Sequence, residues 1–134
     1  MRLVWVGCGF PQPICNQPVY GLDGRLIGVP DLFDPEAGLV GEYDGAHHKV
    51  RTQHRHDVAR EQRFRNVGLE YFTVVAGDRV EVIRDRMEQA RSRSRFLARE
   101  ACAWTLTPPA WVTPPEPLGA FFERTGQVER LTHT

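Results

Sequence analysis

Paired cysteines are missing from this chain. Its three, Cys8, Cys15 and Cys102, are odd in number and form no CxxC, which supports neither a disulfide framework nor a thiolate zinc site and makes the cytoplasm the expected compartment. Long apolar runs are missing too. Leu3 to Val6 is a stretch of four after Met1-Arg2, short of the roughly 7 to 15 residues of a secretory signal core and of the roughly 20 that span a bilayer. Excess charge of either sign is absent: seventeen basic residues balance seventeen acidic ones over 134 residues. No global field therefore draws the chain onto an anionic membrane, and the balance argues against wholesale coating of DNA. Lysine is nearly absent, Lys49 standing alone beside sixteen arginines, an imbalance read here as codon composition rather than chemistry. What remains, 41% apolar and 25% charged residues, is the composition of one soluble globular domain.

Charge is segregated although it sums to zero. Residues 23–44 carry six acidic residues, Asp23, Asp31, Asp34, Glu36, Glu42 and Asp44, against Arg25 alone. Residues 49–65 carry Lys49, Arg51, Arg55, Arg60, Arg63 and Arg65 against Asp57 and Glu61, and residues 84–99 set six arginines against Asp85 and Glu88. An acidic centre between two basic segments suits a protein that gathers a metal cation beside a phosphate backbone. Each basic run by itself reads better as a solvated helix face.

Turn signals and periodicity divide the chain. Leu3 to Cys8 reads as the last turns of a helix. Cys15 to Tyr20 and Arg25 to Phe33 flank Asp23-Gly24 as a hairpin. A turn at residues 34–38 leads into a strand from Leu39 to Asp44. Gln53 to Val67 reads as a helix closed by Gly68, and Leu69 to Val75 as a strand. Asp78 and Glu81 resemble a capping box that opens a helix with a stripe of Val80, Ile83, Met87, Ala90, Ser94, Leu97 and Ala101. Beyond Trp104, Pro108, Pro109, Pro114, Pro115 and Pro117 favour an extended tail. The expected division is a body over residues 1–103 and a weakly ordered Pro-rich tail over 104–134.

The stretch that carries chemistry runs from Val29-Pro30-Asp31 through Glu42-Tyr43-Asp44 to His48. Glu42 and Asp44, two apart on a strand, leave the same face. With Asp31 beside them, three carboxylates repel strongly and call for a cation, and Mg2+ or Mn2+ with oxygen ligands is the economical one. Register decides whether Asp31 joins them. A five-residue turn at 34–38 throws Glu42 onto the other face; an even-length turn, with Asp31 opposite Val40, or a bulge at Pro30 is required. The spacing equally allows Asp31, Asp34 and Glu36 to be turn residues while Glu42 and Asp44 face water.

Two further groups invite roles. On the helix from Gln53, residues Asp57, Arg60, Glu61, Phe64 and Gly68 share a face, so that Phe64 anchors it while Arg60 either pairs with Asp57 or approaches the acidic centre or a phosphate. Arg51, Arg55, Arg63 and Arg65 are better placed for a DNA backbone. His47, His48, His54 and His56 with Asp57 suggest zinc, but His54 and His56, two apart on a helix, point in different directions, and zinc ranks below magnesium.

The residues Pro30-Asp31-Leu32, Glu42-Tyr43-Asp44-Gly45 with His48, the pattern Asp57, Arg60, Phe64, Gly68 and the strand Leu69 to Val75 together resemble the PD-(D/E)XK restriction-endonuclease-like superfamily, and within it the small bacterial domains related to very-short-patch-repair endonucleases. The resemblance covers roughly residues 10–100. It implies an α/β fold with an αβββαβα core, a mixed sheet and hydrolysis of DNA phosphodiesters. Asp31 and Glu42 match the metal-binding acids, with the Tyr43 carbonyl as a third ligand. Asp44 stands where the superfamily usually has its lysine. His48 is then the group to orient or deprotonate the water, and Lys49, Arg51, Arg55, Arg60 and Arg63 are the candidate DNA contacts. The group usually carries a glutamate on its first helix; no acidic residue precedes Asp23 here, so a truncated first helix is expected. The reading is thus a Mg2+- or Mn2+-dependent DNA endonuclease with no membrane partner. The alternative is a catalytically degenerate fragment of a longer nuclease-like or toxin-like protein, binding nucleic acid or a partner.

Overall fold

Turn chemistry sets the frame. In the computed structural model, which describes residues 1–45 and 51–111, β1 (Val19–Gly21) and β2 (Leu26–Gly28) pair antiparallel around Asp23-Gly24. Gly24 sits at φ +87°, and Asp23 Oδ1 accepts a hydrogen bond from the Arg25 N–H at 3.0 Å. A second antiparallel pair, β3 (Leu32–Asp34) and β4 (Leu39–Asp44), closes through residues 35–38. There Asp34 Oδ1 accepts from the N–H groups of Glu36 and Ala37 at 3.1 and 3.2 Å, and Gly38 takes φ +78°.

The run Arg25 to Phe33, expected as one strand, breaks into β2 and β3, which lie in different sheets. The break falls at Val29-Pro30-Asp31. Pro30 is among the most buried residues, and its carbonyl accepts from the Asn16 N–H at 3.1 Å. A residue without an N–H cannot donate to a ladder, so the chain leaves one sheet there and enters the other.

From β4 the chain crosses through α2 (Arg51–Asn66) to β5 (Glu70–Val75), which lies parallel to β4, so the sheet β3-β4-β5 is mixed. Helix α2 ends in a Schellman motif: the Leu69 N–H reaches the Phe64 carbonyl at 3.2 Å, the Gly68 N–H reaches Arg65 at 3.0 Å, and Gly68 has φ +84°. Alternation along the strands gives each face its own core. Leu32, Leu39, Phe72 and Val74 pack under α1 (Arg2–Gly7) and α3 (Val80–Arg93) with Trp5, Ile83, Met87 and Ala90. Phe33, Val40, Leu69 and Tyr71 face α2 and the small sheet with Phe64, Val19 and Ile27.

Three expectations change. Helix α3 ends at Arg93 instead of running to Ala101. Ser94 Oγ bonds back to the Ala90 carbonyl at 3.0 Å, Phe96 takes φ +50°, and the Phe96 N–H docks on the Ala37 carbonyl at 3.1 Å, so the backbone finds partners outside a helix. Asp78 makes no capping box, since the N-cap of α3 is Arg79, without a side-chain cap bond. Asp78 Oδ2 instead accepts from the Val75 N–H at 2.8 Å and from Arg86 at 2.9 Å. The body also runs past the expected division at residue 103. β6 (Trp104–Thr105) pairs with β1, completing the sheet β2-β1-β6, and Trp104 packs edge-on against Phe33 at 5.0 Å.

The chain is therefore α/β, in the order α1-β1-β2-β3-β4-α2-β5-α3-β6, with four strands over two sheets between α1 and α2. No helix among the described residues is long and apolar enough to cross a membrane.

Candidate functional site

The parity of one turn builds the site. Pairing of Asp34 with Leu39 and of Leu32 with Gly41 leaves four residues in the turn. Continued one step, this register sets Asp31 opposite Glu42, rather than opposite Val40. The Tyr43 N–H points toward the β3 edge, where it donates to Asp31 Oδ2 at 2.8 Å. Asp31 stands at a bend just before β3, with its carboxyl group reaching across the end of the pairing to Tyr43. The Asp31 carboxyl is close enough to Glu42 to raise its pKa. Two such charges about 4 Å apart repel by about 4 kcal/mol at an effective dielectric near 20.

Pro30 has no N–H to give to a ladder, and its carbonyl is turned to the Asn16 N–H at 3.1 Å, so the β3–β4 pairing ends at Leu32 and Gly41. The Tyr43 N–H is taken by the Asp31 side chain, which places the Tyr43 backbone beside that carboxylate. The Tyr43 side chain is itself more than half exposed on the opposite face.

Helix α2 supplies the balancing charge. Arg60 Nε donates to Glu42 Oε1 at 2.6 Å, and Arg60 Nη2 donates to the Val29 carbonyl at 2.8 Å. Burial lifts the Glu42 pKa above its ordinary value; the Arg60 hydrogen bond and charge pull it down, and the neighbouring Asp31 lifts it again. Burial opposes the Arg60 charge, but the Glu42 hydrogen bond and charge outweigh it, so Arg60 stays firmly protonated. Glu42 is the partner that holds its charge against resistance, and a further cation would relieve it.

Asp44 is half-buried on the same face as Glu42, and its carbonyl accepts from the Ala76 N–H at 3.0 Å. Arg63 Nε donates to the Ile27 carbonyl at 3.1 Å. Arg60 and Arg63, one helical turn apart, therefore hold carbonyls two residues apart, Val29 just beyond β2 and Ile27 within it, tying α2 to the small sheet. Arg65 is engaged by Glu61, Glu70 and the Tyr71 carbonyl. Arg55 and His56 are exposed. His47, His48 and Lys49 lie outside the described residues, as do the side chains of Arg51 and His54 and the tail from residue 112.

Two groups near the acids escaped the sequence reading. Thr73 lies opposite Glu42 on β5, and Tyr71 lies opposite Val40 on the same face. Burial, and then the Glu42 charge, push the Tyr71 hydroxyl up to about 12, so Tyr71 acts only as a neutral hydroxyl. Their signal was there in Tyr71 and Thr73 alternating with Phe72 and Val74.

The oxygen donors of two carboxylates and a carbonyl suit a hard divalent cation, and Mg2+ takes one or two carboxylates while keeping several waters. No three His, Cys, Asp or Glu side chains stand together as a metal-binding group among the described residues. Such an ion would therefore rest on the Asp31–Glu42 pair and the backbone rather than in a closed protein cage. No family model, curated protein or solved structure matches this chain.

Proposed function

We propose that the chain is a metal-dependent DNA endonuclease with a restriction-endonuclease-like core, hydrolysing phosphodiesters with Mg2+ or Mn2+ held by Asp31, Glu42 and the Tyr43 carbonyl. The observation that carries this reading is the four-residue turn that turns Asp31 and Glu42 to one face. The resemblance of Pro30-Asp31 and Glu42-Tyr43-Asp44-Gly45 to the superfamily pattern supports it, as does the mixed sheet with a helix on each face.

In this reading Asp31 and Glu42 bind the ion and Asp44 adds a carboxylate on the same face. A divalent cation held there would stabilise charge on a phosphodiester oxygen and supply an acidified water. His48 would serve as the general base that orients and deprotonates the attacking water, its ordinary pKa near 6.5 being suited to the task. Lys49, Arg51 and Arg55 contact the DNA backbone, and the bonds of Arg60 and Arg63 to Glu42, Val29 and Ile27 assign those two mainly to holding the site.

The second reading, a degenerate fragment that binds DNA or a partner without cutting, draws support from Arg60 already compensating Glu42. One assay separates them. Supercoiled plasmid incubated with Mg2+ or Mn2+ is nicked by the wild type and not by Glu42→Gln in the first reading. Metal-independent plasmid retention with no nicking by either protein selects the second.

A further inference from the structure

We propose that Arg60 is the exchangeable counter-cation of the Asp31–Glu42 pair: it holds Glu42 in the metal-free protein and yields that carboxylate to a divalent cation. The inference rests on the metal-binding reading above and adds to it a competition between a side chain and the ion for one carboxylate.

Geometry carries it. The guanidinium is split between two acceptors, Nε on Glu42 Oε1 at 2.6 Å and Nη2 on the Val29 carbonyl at 2.8 Å. It is not a bidentate fork on the carboxylate, the arrangement that would be hardest to dislodge. The backbone anchor lets Nε leave Glu42 without unseating the side chain from the Val29 carbonyl. Exposure differs in the same sense. The Arg60 side chain is 33% exposed and that of Glu42 12%, so the cation has water to move into while the carboxylate stays in the site.

Competition for one atom completes the argument. Arg60 Nε occupies Glu42 Oε1, an oxygen the ion would need as a ligand, and the two cations repel each other at that distance, so ion entry and release of Arg60 from Glu42 are coupled.

The test is Mn2+ titration calorimetry on the wild type, Arg60→Gln and Glu42→Gln, with the Arg60 Nε–Hε resonance of the wild type followed during a Mg2+ titration. Arg60→Gln removes the competitor and is expected to bind Mn2+ about tenfold more tightly than the wild type. In the wild type the Nε–Hε proton is expected to lose its exchange protection as Mg2+ saturates, a readout that does not depend on the variant folding. Equal or weaker Mn2+ binding by folded Arg60→Gln, or an Nε–Hε signal unchanged at saturating Mg2+, overturns the proposal and leaves the metal site standing. Absence of Glu42-dependent uptake in both the wild type and Arg60→Gln overturns the metal reading itself, and this proposal with it.

Discussion

Asp31 Oδ2 accepts a hydrogen bond of 2.8 Å from the Tyr43 N–H, twelve residues away, standing in for the ladder acceptor while the Pro30 carbonyl is occupied by Asn16. The carboxylate is both a structural acceptor and a repulsive neighbour of Glu42, and two substitutions separate these roles. Asp31→Asn keeps an acceptor oxygen and removes the repulsion, so urea unfolding in EDTA is expected to place it at or above the wild type while its Mn2+ uptake falls. Asp31→Ala loses the bond to Tyr43 and is expected to cost roughly 0.5–1.5 kcal/mol in the same measurement.

Gly28 lies against the fully buried ring of Phe64, where an added Cβ would come to 2.7 Å from Cζ. An aromatic ring pinned between α2 and β2 has nowhere to withdraw, so Gly28→Ala is expected to destabilise by about 1–3 kcal/mol. Phe64→Leu shortens the obstacle. Urea midpoints of the two single variants and the double are expected to show the double less destabilised than the sum, because the substitutions share one space.

Asp34 is 2% exposed and serves both the tight turn and Arg91, whose Nε lies 3.4 Å from Oδ2. The Arg91 guanidinium is held between the rings of Phe10 and Phe96 at 4.8 and 5.1 Å. Removing the buried acid strands this cation and two backbone donors, and Asp34→Ala is expected to cost roughly 3–5 kcal/mol. Asp34→Asn keeps the Oδ1 acceptor for Glu36 and Ala37, and chemical denaturation is expected to place it between the alanine variant and the wild type.

The Val75 N–H, followed by Arg86, holds the Asp78 pKa below the ordinary carboxylate value. A carboxylate with a depressed folded-state pKa contributes stability that is present above its unfolded pKa and lost as pH falls through the folded one. Melting temperatures of the wild type and Asp78→Asn are therefore expected to differ most above roughly pH 5 and to converge in strong acid. A gap that stays constant down to pH 2 would assign the effect to the lost hydrogen bonds alone.

Local features were legible before the fold was known. The hairpin at Asp23-Gly24, the strand from Leu39 and the helix stop at Gly68 all appear as read, because each depends on residues within one turn of the chain. The reading failed where distant partners intervene. Pro30 breaks the run from Arg25 to Phe33 because two sheets compete for it. Helix α3 stops early because Ala37 offers the Phe96 N–H a partner, and Trp104 leaves the tail for the body because Phe33 and β1 offer it a surface. The sequence leaves Arg60 between Asp57, the acidic centre and a phosphate; α2 docking beside β2 brings its Nε to Glu42.

Sequence alone determined the positions of the turns, since Gly24, Gly38 and Gly68 adopt positive φ that a Cβ would oppose, and it put Glu42 and Asp44 on one face through the two-residue repeat of a strand. Whether Asp31 joins them was decided only in three dimensions. That depends on an even number of residues between Asp34 and Leu39, a count set by the Asp34 side chain closing on Glu36 and Ala37 while Leu32 and Phe33 choose opposite cores. Local backbone preference specifies where a chain turns; packing on both faces of the sheet specifies which residues meet afterwards.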